Sequence, residues 1–383
     1  FTAAVFAETP EKAAEKIIEV PDIRIIIDGK LTTYTNTPIN INGKNLLPLR
    51  ELLVNLGVQN DDEHIIYNHD DKSVTIKKDD TTIFLAVGNK TAYVNGSPTE
   101  LDVAPVFYVK NNDGKVYIPL AFVSEALGKK VVWNGISRAV LICDETKYNN
   151  IKEILDKSEK AEKEISRYKA VLDFDCTSSS GMVKVNFTGS VHQSVDIKQK
   201  MIFLETNLDM LGVNSKTISY YADNASYMQN PVTQEWLKKT YIPAEYDALF
   251  QEQKSSLAME FNEVLYTGLN LVQGENSEEI VLKGDIVLTD MLMETMRTQN
   301  SGFMPSTDDL NSGESSIEIT LDAETYLVKS VTLNIKYTTE SEGLLVDTEA
   351  VMKTTYSDYN GDFEITVPED VVKNAIEIEK EEF

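Results

Sequence analysis

The sequence contains only two cysteines and three histidines among its 383 residues. So few cysteines exclude a disulfide-rich scaffold, and the lack of a C-x-x-C pair excludes a zinc ribbon and a thioredoxin-like redox centre. Cys143 and Cys176 leave two alternatives open, either one bridge between their two regions or two separately buried thiols. A Ser-His-Asp or Cys-His site would have to use His64, His69 or His192. We expect His192 to be an exposed strand residue rather than a catalytic base.

Catalytic and nucleotide-binding motifs are also missing. The patterns G-x-S-x-G, H-E-x-x-H, G-x-x-x-x-G-K-[ST] and G-x-G-x-x-G do not occur in a usable context. We therefore predict that the protein is not an enzyme and that it has no catalytic residue, metal ligand or cofactor. Asp and Glu number 62, so counting alone does not exclude a two-carboxylate glycosidase, but nothing in their spacing singles out a pair.

Long apolar runs and an excess of positive charge are both lacking. No stretch approaches the roughly 18 to 20 apolar residues needed to cross a bilayer, so we predict no transmembrane segment. Lys and Arg number 36 against 62 Asp and Glu, which gives a formal net charge of −26. This charge argues against a nucleic-acid partner and against electrostatic docking on anionic lipid. The acidic loop around Asp61 and Asp70 is either a weak divalent-cation site or a solvated loop.

The two ends of the sequence differ from the rest. The opening FTAAVFAETP is small and apolar up to Ala7, and the V-F-A before Glu8 fits a small-x-small cleavage site. We interpret residues 1–7 as the remnant of a secretory signal peptide, residues 8–22 as a linker and residues 377–383 as a polar tail. The expected location is therefore extracellular, secreted or associated with the cell wall.

Residues 23–143 contain two copies of one sequence unit. The Asp-Gly at 28–29 matches the Asn-Gly at 95–96, and both pairs favour tight hairpins because they tolerate positive φ. Pro48 and Pro119 stand at equivalent places before an apolar helical pattern, where the first turn needs no amide donor. Each unit therefore predicts a hairpin, a short helix and a strand.

The repeated pattern IDGK…P…NGK…PL…LG…W(N/D)…I resembles the copper amine oxidase N-terminal-like domain, also called the stalk domain. That family recurs in secreted and cell-surface proteins of Gram-positive bacteria. For residues 23–146 the resemblance implies a small antiparallel sheet wrapped around a helix, with a non-catalytic role. Ala121 stands where the first copy keeps the family's Arg as Arg50, so no surface role for that Arg carries over to the second copy.

The pattern changes to a long helix and then to strands after the repeats. Residues 148–168 carry an apolar stripe at helical spacing, with pairs such as Glu153 and Lys157 four residues apart. Apolar and polar residues alternate from 183 to 188 and from 331 to 337. Such a period of two predicts strands with one buried face and one face in water.

A helix, a meander of long amphipathic strands, central helices over residues 243–272 and further strands resemble the LolA/LprG-like lipoprotein fold. The phrases YYADNASYMQNPVTQEWLKKTY and YNGDFEITVPEDV are similar to that group's strand-turn-strand and closing strand. For residues 147–376 the resemblance implies an open antiparallel half-barrel with helices on its concave face. Members of the group bind acyl chains or other hydrophobic ligands. The predicted fold class is α+β, with the two-repeat stalk domain followed by this half-barrel.

The candidate ligand site is apolar and is centred on the central helices. Its side chains are expected to face the sheet, and the soft Met side chains adapt to ligands of variable shape. The predicted ligand-binding residues are Leu249, Phe250, Leu257, Phe261, Leu265, Met291 and Met293. The alternative is that these residues only fill the core between helix and sheet.

These observations favour a non-catalytic, secreted cell-envelope protein. One module would act as a stalk that contacts a cell-wall component or a surface protein, and the other would bind a lipid-like or hydrophobic ligand. One alternative is a structural or adhesive surface protein without a small ligand. Another is a cell-wall glycan hydrolase, which predicts a polar cleft with two carboxylates about 5 to 9.5 Å apart.

Overall fold

The chain divides into two compact units. The first covers the described residues up to 27 together with 31–142, and the second covers 28–30 with the described residues from 143 onward. The segment interpreted as a signal remnant lies outside the described residues. The computed structural model describes residues 16–135, 138–257, 261–272, 278–287, 314–341 and 343–378.

Short strands arranged in three sheets make up most of the first unit. Two five-stranded sheets have the orders β1-β4-β5-β12-β11 and β10-β9-β8-β7-β6, and a four-stranded sheet has the order β13-β14-β2-β3. In the last of these, β14 pairs in parallel with β2. The strands are β1 Ile17–Glu19, β2 Arg24–Ile27, β3 Lys30–Leu31, β4 Ile39–Ile41, β5 Lys44–Pro48, β6 Ile65–Asn68, β7 Ser73–Lys78, β8 Thr81–Ala86, β9 Thr91–Val94, β10 Ser97–Glu100, β11 Val106–Lys110, β12 Asp113–Pro119, β13 Lys129–Asn134 and β14 Ala139–Asp144.

Two short helices occupy equivalent places in the two repeats. They are α1, Leu49–Asn55, and α2, Leu120–Ala126, and each begins directly after a proline. Gly57 follows α1 with φ at +80°, the left-handed region that glycine adopts at little cost. The helices pack into the core of the unit, in which Leu52 and Leu53 are fully buried. The structure thus has the predicted hairpin, helix and strand in both repeats.

A single large sheet dominates the second unit. Its twelve strands have the order β21-β22-β23-β24-β25-β15-β16-β17-β18-β19-β20-β26, and neighbours are antiparallel except for β20 and β26. The strands are β15 Arg167–Ser180, β16 Val183–Asp196, β17 Met201–Met210, β18 Val213–Ala222, β19 Ala225–Gln229, β20 Trp236–Thr240, β21 Leu269–Val272, β22 Glu279–Ile286, β23 Glu314–Asp322, β24 Val328–Ser341, β25 Leu344–Ser357 and β26 Ile376–Glu377.

Most helices of the unit pack against one face of this sheet, which we call the inner face, whereas the last helix packs on the opposite face, where Val371 contacts Ala225 and Tyr227. The described helices of the unit are α3 Glu145–Lys163, α4 Pro243–Leu257, α5 Glu263–Gly268 and α6 Glu369–Asn374. Burial alternates along the strands, and in β25 the side chains of Thr348, Met352 and Tyr356 are less exposed than those of their neighbours. The inner face is therefore mostly apolar, the opposite face is mostly polar apart from the patch under α6, and the predicted α+β class is confirmed.

Two element boundaries differ from the prediction. The helix predicted over 148–168 ends at Lys163, and Tyr168 belongs to β15, where it pairs with Val195. The helical stretch predicted over 243–272 is two helices followed by strand β21. In both places, apolar residues at helical spacing continue into a strand, so the periodicity alone does not mark the boundary.

The two cysteines are both free thiols. Cys143 is fully buried in β14, and Cys176 is half-buried in β15, opposite Phe187 of β16. Of the two alternatives that the sequence leaves open, the structure therefore has the unbridged one. Burial raises the pKa of the Cys176 thiol, so it is mostly protonated at neutral pH.

Candidate ligand-binding face

Helix α4 covers one part of the inner face. Tyr246 and Phe250 of α4 pack in one core cluster with Tyr168 and Val195 of the sheet. The Tyr246 hydroxyl donates a hydrogen bond to the backbone oxygen of Lys200 at 2.8 Å. Because the ring is buried and the hydroxyl has a fixed partner, this residue holds α4 on the sheet.

Beyond the helix, the inner face continues as a half-buried apolar surface. Six side chains from four neighbouring strands form it, and we call this set the apolar face. The apolar face consists of Leu172 and Phe174 of β15, Phe187 and Val191 of β16, Leu208 of β17 and Met352 of β25. Their alignment follows from the register, because Leu172 lies opposite Val191, and Phe174 lies between Met352 and Gly189. Side chains that oppose each other in adjacent strands point to the same face.

A glycine shapes the middle of this surface. Gly189 lies opposite Phe174 on one side and Leu208 on the other. A Cβ atom at this position would stand 2.5 Å from Cζ of Phe174 and 2.5 Å from the backbone oxygen of Asn207. The Phe174 ring therefore lies over the bare backbone of β16, and it contacts Phe187 edge-on with ring centroids 6.2 Å apart.

Helix α3 places an acidic side chain in the interior of the same unit. Glu162 is only 3% exposed, and neither of its carboxylate oxygens has a hydrogen-bond partner among the described residues. Burial, and to a lesser extent the charge of Glu159, raises the pKa of Glu162 to about 8. Burial and the nearby Glu162 charge also raise the pKa of Tyr356 to about 12 and that of Tyr359 further. Glu162 is therefore mostly neutral at pH 7, and its carboxyl group influences the pKa of the Tyr356 and Tyr359 hydroxyls.

Two surface depressions in the unit are polar. One, of about 440 Å³, is lined by Arg167, Asp196 and Lys198 among others, and Arg167 Nε lies 3.0 Å from Asp196 Oδ2. The other, of about 360 Å³, includes Asp209 and Lys216 and lies along β16, β17 and β18. Each has a single carboxylate in its lining, so neither holds the pair of carboxylates that a glycosidase mechanism requires.

The predicted ligand-binding residues do not all come together. Phe250 is 3% exposed in the core cluster, and Leu249 is half-buried against that cluster. Leu265 is buried in α5, and Phe261 is half-buried just before that helix. Two further predicted residues, Met291 and Met293, lie outside the described residues, as does the side chain of Leu257.

Sequence reasoning missed the apolar face itself, although a signal was present. The alternation of apolar and polar residues from 183 to 188 includes Phe187 and correctly predicts strand β16. The helical stripe over residues 243–272 is the stronger local signal, because its apolar side chains recur within one short segment. The register that aligns Phe174, Gly189 and Met352 depends on strands far apart in the sequence, and no local pattern contains it.

The acidic loop of the first unit has local hydrogen bonds. His64 Nδ1 lies 2.7 Å from Asp61 Oδ1, and the same carboxylate oxygen accepts the backbone amide of His64. These contacts hold the pKa of Asp61 below its usual range. Within the ranges that the structure describes, no group of three or more His, Cys, Asp or Glu side chains is placed to hold a metal ion.

The described helices are six to 19 residues long. None of them combines the length and the apolar composition that a membrane-spanning helix requires.

These elements define a protein of two domains, a small sheet-and-helix unit and a large antiparallel sheet covered by helices. Residues 26–142 match the family model described as copper amine oxidase N-terminal domain, which confirms the resemblance seen in the repeats. Residues 150–376 match the model described as Family of unknown function (DUF6612). Because this second match covers more than half of the sequence, the chain belongs to that family.

Solved structures provide a further comparison. LprF from Mycobacterium bovis is 12% identical, and the similarity covers 57% of this chain and 97% of LprF with a TM-score of 0.31. A structure of lipovitellin is 9% identical over 52% of this chain and 26% of that chain, with a TM-score of 0.26. A LolA superfamily protein from Nitrosomonas europaea is 7% identical over 58% of this chain and 96% of that chain, with a TM-score of 0.16. Among curated proteins, none matches this chain.

Proposed function

We propose that the domain at residues 147–376 binds a ligand with a long apolar part, such as an acyl chain, along the inner face of its sheet. The observation that carries this proposal is the half-buried apolar face, which extends beyond the part of the sheet that α4 covers. Side chains such as Leu172 and Met352 are neither packed away in the core nor placed on the polar outer side of the sheet. Covering them with an apolar ligand would remove apolar surface from water, at roughly 25 cal/mol per Å².

The neighbouring core provides a natural wall for such a ligand. Leu249 and Phe250 of α4 border the covered part of the inner face, so a chain lying on the apolar face would end against them. The Phe174 ring over Gly189 supplies a flat aromatic surface in the middle. The absence of hydrogen-bonding groups in this set fits a ligand that is held by shape and hydrophobicity rather than by a reactive site.

The rest of the chain fits a non-catalytic role at the cell envelope. The domain at residues 23–146 would serve as a stalk or interaction module that contacts a cell-wall component or a surface protein. We further propose that the protein is secreted, as the composition of residues 1–7 indicates.

Ligand binding is tested with the purified full chain and a fluorescent fatty acid whose emission rises in apolar surroundings. The test variant combines Leu172→Ser with Met352→Ser, and the control combines Val171→Ser with Val351→Ser. The control residues are the chain neighbours of the test residues, and their side chains point to the opposite face of the same two strands. We expect the test variant to bind the probe about tenfold more weakly and the control to stay within about twofold.

Native mass spectrometry after incubation with a lipid extract checks the same claim without a probe. A bound mass in the wild type that disappears in the Leu172→Ser, Met352→Ser variant supports the proposal. Lack of any bound mass and of probe binding in the wild type would favour a structural or adhesive role. Equal loss in test and control variants would show that the effect comes from general destabilisation, and the apolar face would then not be the site.

A further inference from the structure

Apolar side chains protrude into solvent at three hairpin turns of the twelve-stranded sheet. They lie at the turns between β15 and β16, between β17 and β18, and between β24 and β25, and their exposed fractions run from 60% to 105%. We call this set the hairpin rim. The hairpin rim consists of Met182, Val183, Leu211, Val213, Leu344 and Leu345. Apolar side chains that are this exposed contribute nothing to the core. They mark a surface that an apolar partner, such as a lipid layer, could cover.

The three turns lie at the same end of adjacent strands. The sheet order β24-β25-β15-β16-β17-β18 makes the three hairpins direct neighbours. Ser179 of β15 lies opposite Asp347 of β25, so these two turns end within a few residues of each other. Met210, at the third turn, lies opposite Phe187, which is about 13 Å along β16 from Val183 at 3.3 Å per residue. This stagger is typical of tilted strands in curved sheets.

The longest hairpin has an uncharged end. Residues 176–183 contain no Asp, Glu, Lys or Arg, and the first charged residue on β16 is Lys184, opposite Ser179. The hairpin therefore extends about 7 to 10 Å beyond its last charge. That length matches the roughly 5 to 10 Å to which apolar groups of interfacial proteins enter a lipid surface.

The charges behind the rim are mostly acidic. Asp209, Glu340 and Asp347 lie near the three turns, Glu342 stands in the sequence between β24 and β25, and Lys184 is the nearby cation. With a net charge of −26, the protein is repelled by anionic lipid, which favours a bilayer without net charge. A rigid protein partner would need a continuous contact of about 800 Å² on each side. Three separate, staggered turns fit a fluid lipid surface better than the flat surface of a rigid protein.

The rim is continuous with the interior of the domain along one strand. On the inner side of β16 the apolar residues are Val195, Val191, Phe187, Val185 and Val183. The first is fully buried in the core cluster and the last is 66% exposed at the rim. Val183, Val185 and Phe187 therefore form an apolar stripe from the turns to the apolar face, and beyond Phe187 the residues Gly189 and Gln193 alternate with Val191 and Val195 on the same side of β16.

We propose that the hairpin rim inserts into the surface of a neutral, zwitterionic lipid bilayer and docks the domain there with its apolar stripe facing the lipid. The docking residues are distinct from the apolar face, so this proposal goes beyond ligand binding and can be tested separately. The bilayer supplies the apolar phase that covers the rim, and its choline groups lie against the acidic side chains behind it.

Flotation of the full chain with phosphatidylcholine vesicles tests the docking. The test variant combines Met182→Ser, Leu211→Ser and Leu344→Ser, one substitution in each turn. The control is Ile242→Ser, a 55% exposed apolar residue that follows β20 at the opposite end of the sheet. We expect the wild type and the control to float with the vesicles and the triple variant to partition about tenfold less. Replacing about a third of the lipid by phosphatidylglycerol should weaken the binding of the wild type.

Other outcomes would overturn the proposal. These are a wild type that does not float, a triple variant that floats equally well, or flotation that requires phosphatidylglycerol. Concentration-dependent self-association in sedimentation velocity, lost in the triple variant and without vesicle binding, would make a second copy the partner instead. The fluorescent fatty acid separates the two proposals. The triple variant should bind it like the wild type without vesicles, whereas the Leu172→Ser, Met352→Ser variant should lose the probe and still float.

Discussion

Glu162 is the residue whose environment differs most from what its chemistry favours. Its carboxyl group is buried without a hydrogen-bond partner among the described residues, and the pKa of the group is raised from 4.5 to about 8. In the unfolded chain the group ionises near 4.5, whereas in the folded protein it stays protonated up to about pH 8. Folding is therefore not penalised below the unfolded pKa, and the penalty grows with pH until it is complete above the folded pKa.

We predict that Glu162→Gln stabilises the protein relative to the wild type more at pH 8 than at pH 5. At 1.36 kcal/mol per pH unit for one proton, the difference between the two conditions is at most about 4 kcal/mol. Burial of the glutamine amide adds a free-energy cost that does not depend on pH. The quantity to compare is therefore the effect of Glu162→Gln on the free energy of unfolding at pH 8 minus its effect at pH 5. Urea unfolding at both pH values measures it. Glu164→Gln, at an exposed position in the same region, should show a difference of less than about 0.5 kcal/mol.

The sequence pattern holds part of the information about this residue. Ile151, Leu155, Ser158, Glu162 and Ile165 follow one another at alternating steps of four and three, and all five are buried in the structure. Spacing alone would therefore place Glu162 on the buried stripe of α3. Its charge argues for the solvent side, as do the neighbouring pairs of Glu and Lys. Only the packed surroundings of Tyr356 and Tyr359 show which of the two arguments holds.

At the scale of elements, the packing of the neighbouring strands β15, β16 and β17 depends on the absence of a side chain at Gly189. A methyl group there would meet a backbone oxygen and an aromatic ring, both at 2.5 Å. We predict that Gly189→Ala lowers the free energy of unfolding by about 1 to 3 kcal/mol, because the backbone oxygen of Asn207 cannot move without disturbing the β16–β17 pairing. Denaturant unfolding followed by circular dichroism measures the change.

The matched control is Gly135→Ala. A Cβ atom at Gly135 would have the Trp133 Nε1 as its nearest contact at 3.5 Å, which is ordinary van der Waals distance. This substitution should be neutral or stabilising by up to about 1 kcal/mol, since alanine restricts the unfolded chain. An equal loss of stability in both variants would contradict the assigned contact and point to a general effect of replacing glycine by alanine.

Elements were easier to predict from the sequence than their alignment. The repeat predicted both helices of the first unit, because each begins after a proline and ends before a glycine, and these signals are local. The strands of the second unit were likewise visible as alternation. Their order was not, because β15 pairs with β25, whose residues lie more than 160 positions later. A face that is built from such distant strand pairs cannot be recognised in any short segment of the sequence.

At the scale of the whole molecule, each of the two compact units has its own core. In the first unit, Leu53 is fully buried in a cluster with both helices and several strands. In the second, Val195 is fully buried under α4. We propose that the units correspond to the domains at residues 23–146 and 147–376 and that each unfolds in its own cooperative transition.

We therefore predict two transitions in scanning calorimetry. Leu53→Ala removes a fully buried side chain, which costs about 2 to 5 kcal/mol, and should lower the midpoint of one transition while the other stays in place. Val195→Ala should shift only the transition that Leu53→Ala leaves unchanged. If the chain melts in a single transition that both substitutions shift together, the two cores act as one cooperative unit. In that event the boundary near residue 146 separates two packing regions of one folding unit and does not separate two domains.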